Sequence, residues 1–212
     1  MSPLTISTAL TSWGDGPAPA DTSAVIVLLH GYGSNAADLA GLAPGLPGGF
    51  AWASLQAPLP MGNGGFAWAP ITTPGNPEPA PVEAAADAVS DWIERMLPAA
   101  ATVVPLGFSQ GGLMASQLLR RSPRRAVAAV VLGGFVLAGE LPADAELAAS
   151  RPPVFSGRGS ADGVITADAV ARTAAWLPEH STLTERVYPG LGHGISAEEL
   201  ADVAAFLSSI PV

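Results

Sequence analysis

Cysteine is absent from this 212-residue chain, so disulfides, thiolate metal sites and a cysteine nucleophile are all excluded. That absence fits a cytoplasmic protein, the expected location. Lysine is absent too: all nine basic residues are arginine, against eighteen acidic ones, for a net charge of −9. A surface with this balance repels nucleic acid and anionic lipid, and neither is an expected partner. Histidine is scarce. His30, His180 and His193 include no His-x-x-x-His pair, so no metal is expected. No uncharged apolar run reaches the roughly 18 residues of a membrane-spanning helix, and stable insertion in a bilayer is not expected. The longest apolar stretch, residues 126–138, is interrupted by Gly133 and Gly134. The start, MSPLTISTALTSW, has neither a basic end nor an apolar block, so no secretory leader is expected.

What is present is apolar and rhythmic. Hydrophobic residues make up 49% of the chain, enough for the core of one domain over residues 1–212. Runs at 24–30 (AVIVLLH), 102–108 (TVVPLGF), 126–132 (AVAAVVL) and 152–159 (PPVFSGRG) read as buried strands. TLTERVYPG at 182–190 alternates more, and FAWASLQAP at 50–58 is a weaker strand. Helical patterns fall between them. Val82, Ala86, Val89, Ile93 and Leu97 share one face; residues 109–121 form a second helix, stopped by Pro123. A third spans 166–177 with Thr166 as N-cap. A fourth follows Ser196, whose partner Glu199 would complete a capping box. Four arginines in RRSPRR, residues 120–125, crowd the end of the second helix, where cations oppose its dipole. Alternating strands and helices predict an α/β fold with a mostly parallel sheet and helices on both faces. Ligands of such sheets bind beyond the carboxyl ends of the strands. The Pro- and Gly-rich stretch at 56–81 follows a strand, so it belongs at that edge; a loop this long is usually functional.

Gly107-Phe108-Ser109-Gln110-Gly111 fits G-x-S-x-G. The motif is weak alone, and a serine N-cap on an ordinary helix is the plain alternative. Its setting is specific: a strand runs directly into the serine and a helix starts directly after it, so the hydroxyl stands exposed at the carboxyl edge. A nucleophilic serine needs a base. His180 precedes a strand and lies on the wrong edge. His30 ends a strand on the right edge but comes before the serine, and reads as a structural residue ordering its loop. His193 follows the last strand within GLGHGIS and is the expected base. The orienting acid should lie between serine and histidine. Asp162, in a loop after a strand on the same edge, is preferred over Asp144 and Asp168, which stay open. Backbone N–H groups of Gln110 and Tyr32 are the expected oxyanion donors, although HGYGSN at 30–35 could equally be a plain glycine turn. Met61, Phe66, Trp68, Phe135 and Leu191 are candidate walls of a substrate pocket, or core.

LLHGYGSN, APLPMGNGGFAWAP, GFSQGG, GRGSADGVI and GLGHGIS, in this order, resemble the phospholipase/carboxylesterase family, which includes acyl-protein thioesterases and bacterial carboxylesterases. The resemblance covers residues 23–208. It implies the α/β-hydrolase fold, no cofactor, and hydrolysis of carboxylic esters or thioesters. Ser109, Asp162 and His193 match the family's triad, and Tyr32 and Gln110 its oxyanion positions. Two blocks depart from the family pattern: Ser34-Asn35 stands where an acidic residue is frequent, and Ser156-Gly157 where His-Gly is frequent. The segment at 135–152 is too short for a large lid domain. The expected substrate is a small ester of short-to-medium acyl chain. The competing readings are a lysophospholipase or protein thioesterase, and a non-catalytic binding protein on a hydrolase fold.

Overall fold

The structure, a computed structural model, describes residues 3–62 and 64–211. Met1 and Ser2, Asn63 of the Pro/Gly-rich loop, and Val212 lie outside the described residues. One seven-stranded sheet organises the chain. Its strands are β1 (Ala9–Thr11), β2 (Ala24–Leu29), β3 (Ala51–Leu55), β6 (Thr102–Phe108), β7 (Ala129–Leu132), β8 (Pro153–Gly159) and β9 (Thr182–Tyr188). Their order is β1-β3-β2-β6-β7-β8-β9, and all pairs are parallel except β1 with β3. Two short strands, β4 (Leu59–Pro60) and β5 (Phe66–Ala67), form a separate hairpin inside the long loop. The helices are α1 (Ala36–Ala40), α2 (Pro79–Met96), α3 (Gln110–Arg121), α4 (Asp144–Ser150), α5 (Ala167–His180) and α6 (Ala197–Ser208).

β2 shows why the sheet is buried on both faces. Val25, Val27 and Leu29 join one apolar cluster with residues of α2 and α3; Ile26 and Leu28 join another with Val203, Phe206 and Leu207 of α6. The period-2 geometry of a strand sends successive side chains into opposite layers. α3 is buried along nearly its whole length, from Gln110 to Arg120, so the helix after the serine is the central one.

Two strand readings change. β7 is shorter than the apolar run at 126–132; Ala126 makes only an isolated bridge to Val103. The cause is Pro105. The N–H and C=O of Val103 bond to Arg125 and Val127. Residue 105, two further along β6, faces the same neighbour but has no N–H, so the ladder breaks until Leu106 pairs with Val130. β1 lacks any apolar alternation and is not visible in the sequence. α5 also continues past Leu177 through Pro178 to His180.

The arginine cluster does more than oppose a dipole. Arg120 is fully buried, pairs with Asp144 through Nε and Nη2 at 2.9 and 2.6 Å, and donates to the Leu137 and Gly139 carbonyls. It thereby fixes the loop after β7. Arg121 bridges to Glu83 and Asp87 of α2. Arg125 donates to the carbonyls of Pro98 and Ala99. Among the described residues, no helix is long and apolar enough to cross a membrane.

Candidate active site

β2 and β6 are adjacent, but their onward connections leave in opposite directions, to β3 and to β7. This is the switch point where a parallel sheet opens a crevice at its carboxyl edge. The loop at 30–35 leaves β2 there, and Ser109 leaves β6 beside it.

Ser109 adopts φ 56°, ψ −117°, in the positive-φ region that side chains rarely occupy. The glycines around it are required by space. A Cβ on Gly107 would overlap the Gly111 carbonyl, and one on Gly111 would overlap the Leu29 carbonyl. A Cβ on Gly112 would stand 2.9 Å from Gly134 Cα. Three backbone segments thus meet around the serine with no room for side chains.

The structure brings three predicted residues together. His193 Nε2 lies 2.8 Å from Ser109 Oγ, and its Nδ1 lies 2.8 Å from Asp162 Oδ2. A carboxylate only accepts, so the Nδ1 proton is donated to Asp162, and Nε2 keeps the lone pair that accepts the serine O–H. The imidazole lies against the Phe108 ring at 4.8 Å and over Gly133, where a Cβ would stand 3.5 Å from the ring. Asp162 is itself well held. Its Oδ1 accepts from the N–H groups of Val164 and Ile165 at 2.8 and 3.2 Å. Burial pushes this carboxyl up, but the bonds from His193, Val164 and Ile165 together outweigh burial and hold it below its ordinary value. The other two carboxylates are engaged elsewhere: Asp144 with Arg120, and Asp168 in the first turn of α5.

His30 is fully buried, and both its ring nitrogens are engaged by backbone groups other than the serine. Its Nδ1 donates to the Gly31 carbonyl at 2.7 Å and its Nε2 accepts from the Ala57 N–H at 3.1 Å. The Ala57 N–H needs a lone pair on Nε2, so the ring is neutral. Burial lowers its pKa, against the opposing pull of the Gly31 carbonyl. His180 ends α5 at the far edge and stacks on Trp176. In the departure at 34–35, Asn35 caps α1 and Ser34 donates to Asp38.

Tyr32, Ser109 and Gln110 border one cavity of about 270 Å³. Among the described residues, the Tyr32 and Gln110 N–H groups have no protein acceptor. The remaining walls are mostly apolar: Ile71, Pro74, Leu113, Phe135, Val164 and Ile165 among them. A larger cleft, about 430 Å³, sits near the amino end of β6 between α2 and α3; it contains no histidine and is remote from this edge.

Of the five candidate wall residues, only Phe135 lines the cavity. Trp68 is core: it is fully buried, with its indole N–H donated to the His30 carbonyl at 2.8 Å. Phe66 acts through its backbone, exchanging bonds with Gly33 and Ser34 that hold the loop after β2. Met61 packs beside that loop near Gly33. The Leu191 carbonyl accepts from Ala161, tying the histidine loop to the aspartate loop. The sequence also gave no sign of a task for the Gln110 side chain. Its amide accepts from the Trp68 N–H and donates to the Ala69 carbonyl, at 2.9 and 2.7 Å, anchoring the long loop to the serine turn.

The sequence model of the phospholipase/carboxylesterase family matches residues 18–210. The chain belongs to this family. Among curated family proteins, acyl-protein thioesterase 1 of Debaryomyces hansenii is 30% identical over 107 residues, covering 49% of this chain and 46% of that protein. The same-named protein of Mycosarcoma maydis is 32% identical over 121 residues, covering 51% and 48%. The matched segment therefore spans about half the length of these relatives. Solved structures align far more completely. Esterase PE8 gives a TM-score of 0.74 at 24% identity, covering 99% of this chain and 100% of that one. Zea mays acyl-protein thioesterase 2 gives 0.74 at 22%, covering 95% and 98%. At such identities these likenesses establish the fold, the α/β-hydrolase fold. This family member carries Gly157 beside α6, and the space it leaves is filled by Glu199.

Ser196 caps α6 by accepting from the Glu199 N–H at 3.0 Å, but the reciprocal half of the expected capping box does not form. The Glu199 side chain turns inward against Gly157, where a Cβ would overlap its carboxyl, and among the described residues neither oxygen has a hydrogen-bond partner. Burial pushes this carboxyl up to about 7; the nearby Ser196 amide opposes the shift and the Asp202 charge adds to it. The raised value means the neutral form is favoured by the fold. Stability from this group is complete below its unfolded pKa of 4.5 and is lost as pH rises to about 7. Glu199→Gln should therefore gain stability relative to the parent across that window, by roughly 3 kcal/mol in total. Urea denaturation at pH 4.5 and pH 8 measures it; a parallel pair of pH curves would contradict it.

Proposed function

We propose that this protein is a serine hydrolase that cleaves carboxylic esters of short-to-medium acyl chain through an acyl-Ser109 intermediate. The observation that carries this reading is the 2.8 Å contact of Ser109 Oγ with His193 Nε2, beside an apolar cavity. In the first half-reaction His193 takes the hydroxyl proton while Ser109 Oγ attacks the carbonyl carbon. The carbonyl oxygen becomes an oxyanion facing the Tyr32 and Gln110 N–H groups. Collapse breaks the ester C–O bond, and His193 returns the proton to the leaving alkoxide. Water then repeats the sequence, releasing the acid and the free serine. Asp162 orients the imidazole and stabilises its cationic form.

His193 does not border the cavity, whereas Ser109 does. The leaving group must meet His193 to be protonated, so it departs on that side. The acyl group then points the other way, into the apolar cavity. We assign residues 1–212 to one catalytic domain and, from the absence of cysteine, a cytoplasmic location. The acidic surface supports a small-molecule substrate over nucleic acid.

A lysophospholipase or acyl-protein thioesterase is the second reading. It is favoured by three exposed apolar side chains at the cavity mouth, Tyr32, Ile71 and Val164, and by the names of the curated relatives. A panel of p-nitrophenyl esters and acyl thioesters of graded chain length separates the two. The first reading expects kcat/KM to peak at butanoate to octanoate and fall at palmitate. A steep rise toward palmitate, or greater activity on thioesters, selects the second.

A further inference from the structure

The long loop is fastened as far as residue 69 and sparsely bonded just beyond it. Residues 66–69 are pinned by Gly33, Ser34, Gln110 and His30. Beyond them, residues 71–77 contribute Ile71, Thr73, Pro74, Gly75 and Pro77 to the cavity. Among the described residues, one hydrogen bond joins this stretch to the rest of the chain: Arg172 Nη2 donates to the Gly75 carbonyl at 2.6 Å. The two residues are 97 positions apart.

The same guanidinium holds the opposite wall. Arg172 Nε donates to the Val136 carbonyl at 2.8 Å, and its charge lies 6.0 Å from the centre of the Phe135 ring. Thr173, its neighbour on α5, accepts from the Val136 N–H at 2.9 Å. Gly75 is seated directly on the first turn of α5. It takes φ +71°, and a Cβ there would overlap the Thr166 hydroxyl. Two cavity walls from unrelated loops, one carrying Gly75 and one carrying Phe135, are therefore gauged against each other by one side chain. Arg172 does not border the cavity itself.

We propose that Arg172 is a specificity-determining positioning residue: by bridging Gly75 and Val136 it sets the width of the cavity and so the acyl group the enzyme accepts. This rests on the assignment of the cavity to the acyl group. A planar guanidinium can donate to two carbonyls in fixed directions, which an ammonium on a flexible stem cannot reproduce. Removing both donors while keeping an apolar stem frees residues 71–77 and leaves two carbonyls without their partner. An acyl chain that fills the cavity relies on both walls. An acetyl group reaches little beyond Ser109.

The test is Arg172→Met, with Arg172→Lys as a milder companion, assayed on p-nitrophenyl acetate and hexanoate. The expected loss grows with the chain: about threefold in kcat/KM on acetate and about thirtyfold on hexanoate, the latter mainly in KM. Arg172→Lys should lie between parent and Arg172→Met. Losses equal on the two esters, or a hexanoate-to-acetate ratio unchanged from the parent in either variant, overturn the proposal. Should Arg172→Met fail to fold, the ratio in Arg172→Lys decides alone. Labelling of the parent with a small fluorophosphonate keeps the two ideas apart. An unlabelled Ser109 defeats the serine mechanism, whereas a labelled Ser109 with an unchanged ester ratio defeats only the role of Arg172.

Discussion

Ser109→Ala is expected to lower kcat on a preferred ester by about 10⁴-fold or more. The substitution removes one oxygen and little else. The turn is built by Gly107, Gly111 and Gly112, whose close backbone contacts do not involve the hydroxyl. The positive φ at Ser109 remains strained for alanine, so folding stability should change little. What disappears is the atom proposed to accept the acyl group, the partner of His193 Nε2. The oxyanion donors and the cavity persist, and they support only weak attack by water. Steady-state kinetics with a thermal melt checks both halves. Residual activity within tenfold of the parent would assign the chemistry to another group.

Gly111→Ala should be nearly as damaging for a different reason. A Cβ at this position would overlap the Leu29 carbonyl and crowd that of His30. Leu29 lies in β2, hydrogen-bonded between β3 and β6, so it cannot yield without opening the centre of the sheet. The other side that could move is the start of α3, which carries the Gln110 N–H. Displacing that turn by about 1 Å misaligns nucleophile and oxyanion donor together and costs on the order of 10²-fold in kcat/KM, beyond a loss of several °C in melting temperature. Gly48→Ala is the control, since a Cβ there meets nothing within 4 Å and its φ is ordinary. Equal behaviour of the two variants would contradict the packing account.

Much of this geometry is legible in the sequence because it rests on local rules. A buried strand entering a serine, with a helix leaving it, fixes which edge the hydroxyl occupies. The same edge rule separates His193 from His180 and places Asp162 in reach. The walls of the cavity are not legible in that way. Residues 71–77, ITTPGNP, have no periodicity, and no local pattern says that Gly75 rests on a helix nearly a hundred residues later. Trp68 and Leu191 look like walls by hydrophobicity, yet hydrogen bonds to distant loops decide their places, while Met61 is held by bonds to Gly64 and Gly65 in its own loop. Glu199 shows a local rule overridden by packing: the spacing from Ser196 suits a capping box, but the space beside Gly157 draws the side chain inward. β7 shows a long-range effect of a single residue. Its own sequence favours a strand from 126, and the missing N–H of Pro105 on the neighbouring strand cuts it short.

The most direct measurement is mass spectrometry of the folded protein after reaction with a fluorophosphonate, in the parent and in His193→Ala. One phosphonyl group on the peptide containing Ser109 in the parent, and labelling at least a hundredfold slower without the imidazole, is the predicted result. A folded parent that stays unmodified at Ser109, or a serine labelled equally fast in both proteins, would contradict an imidazole-activated nucleophile.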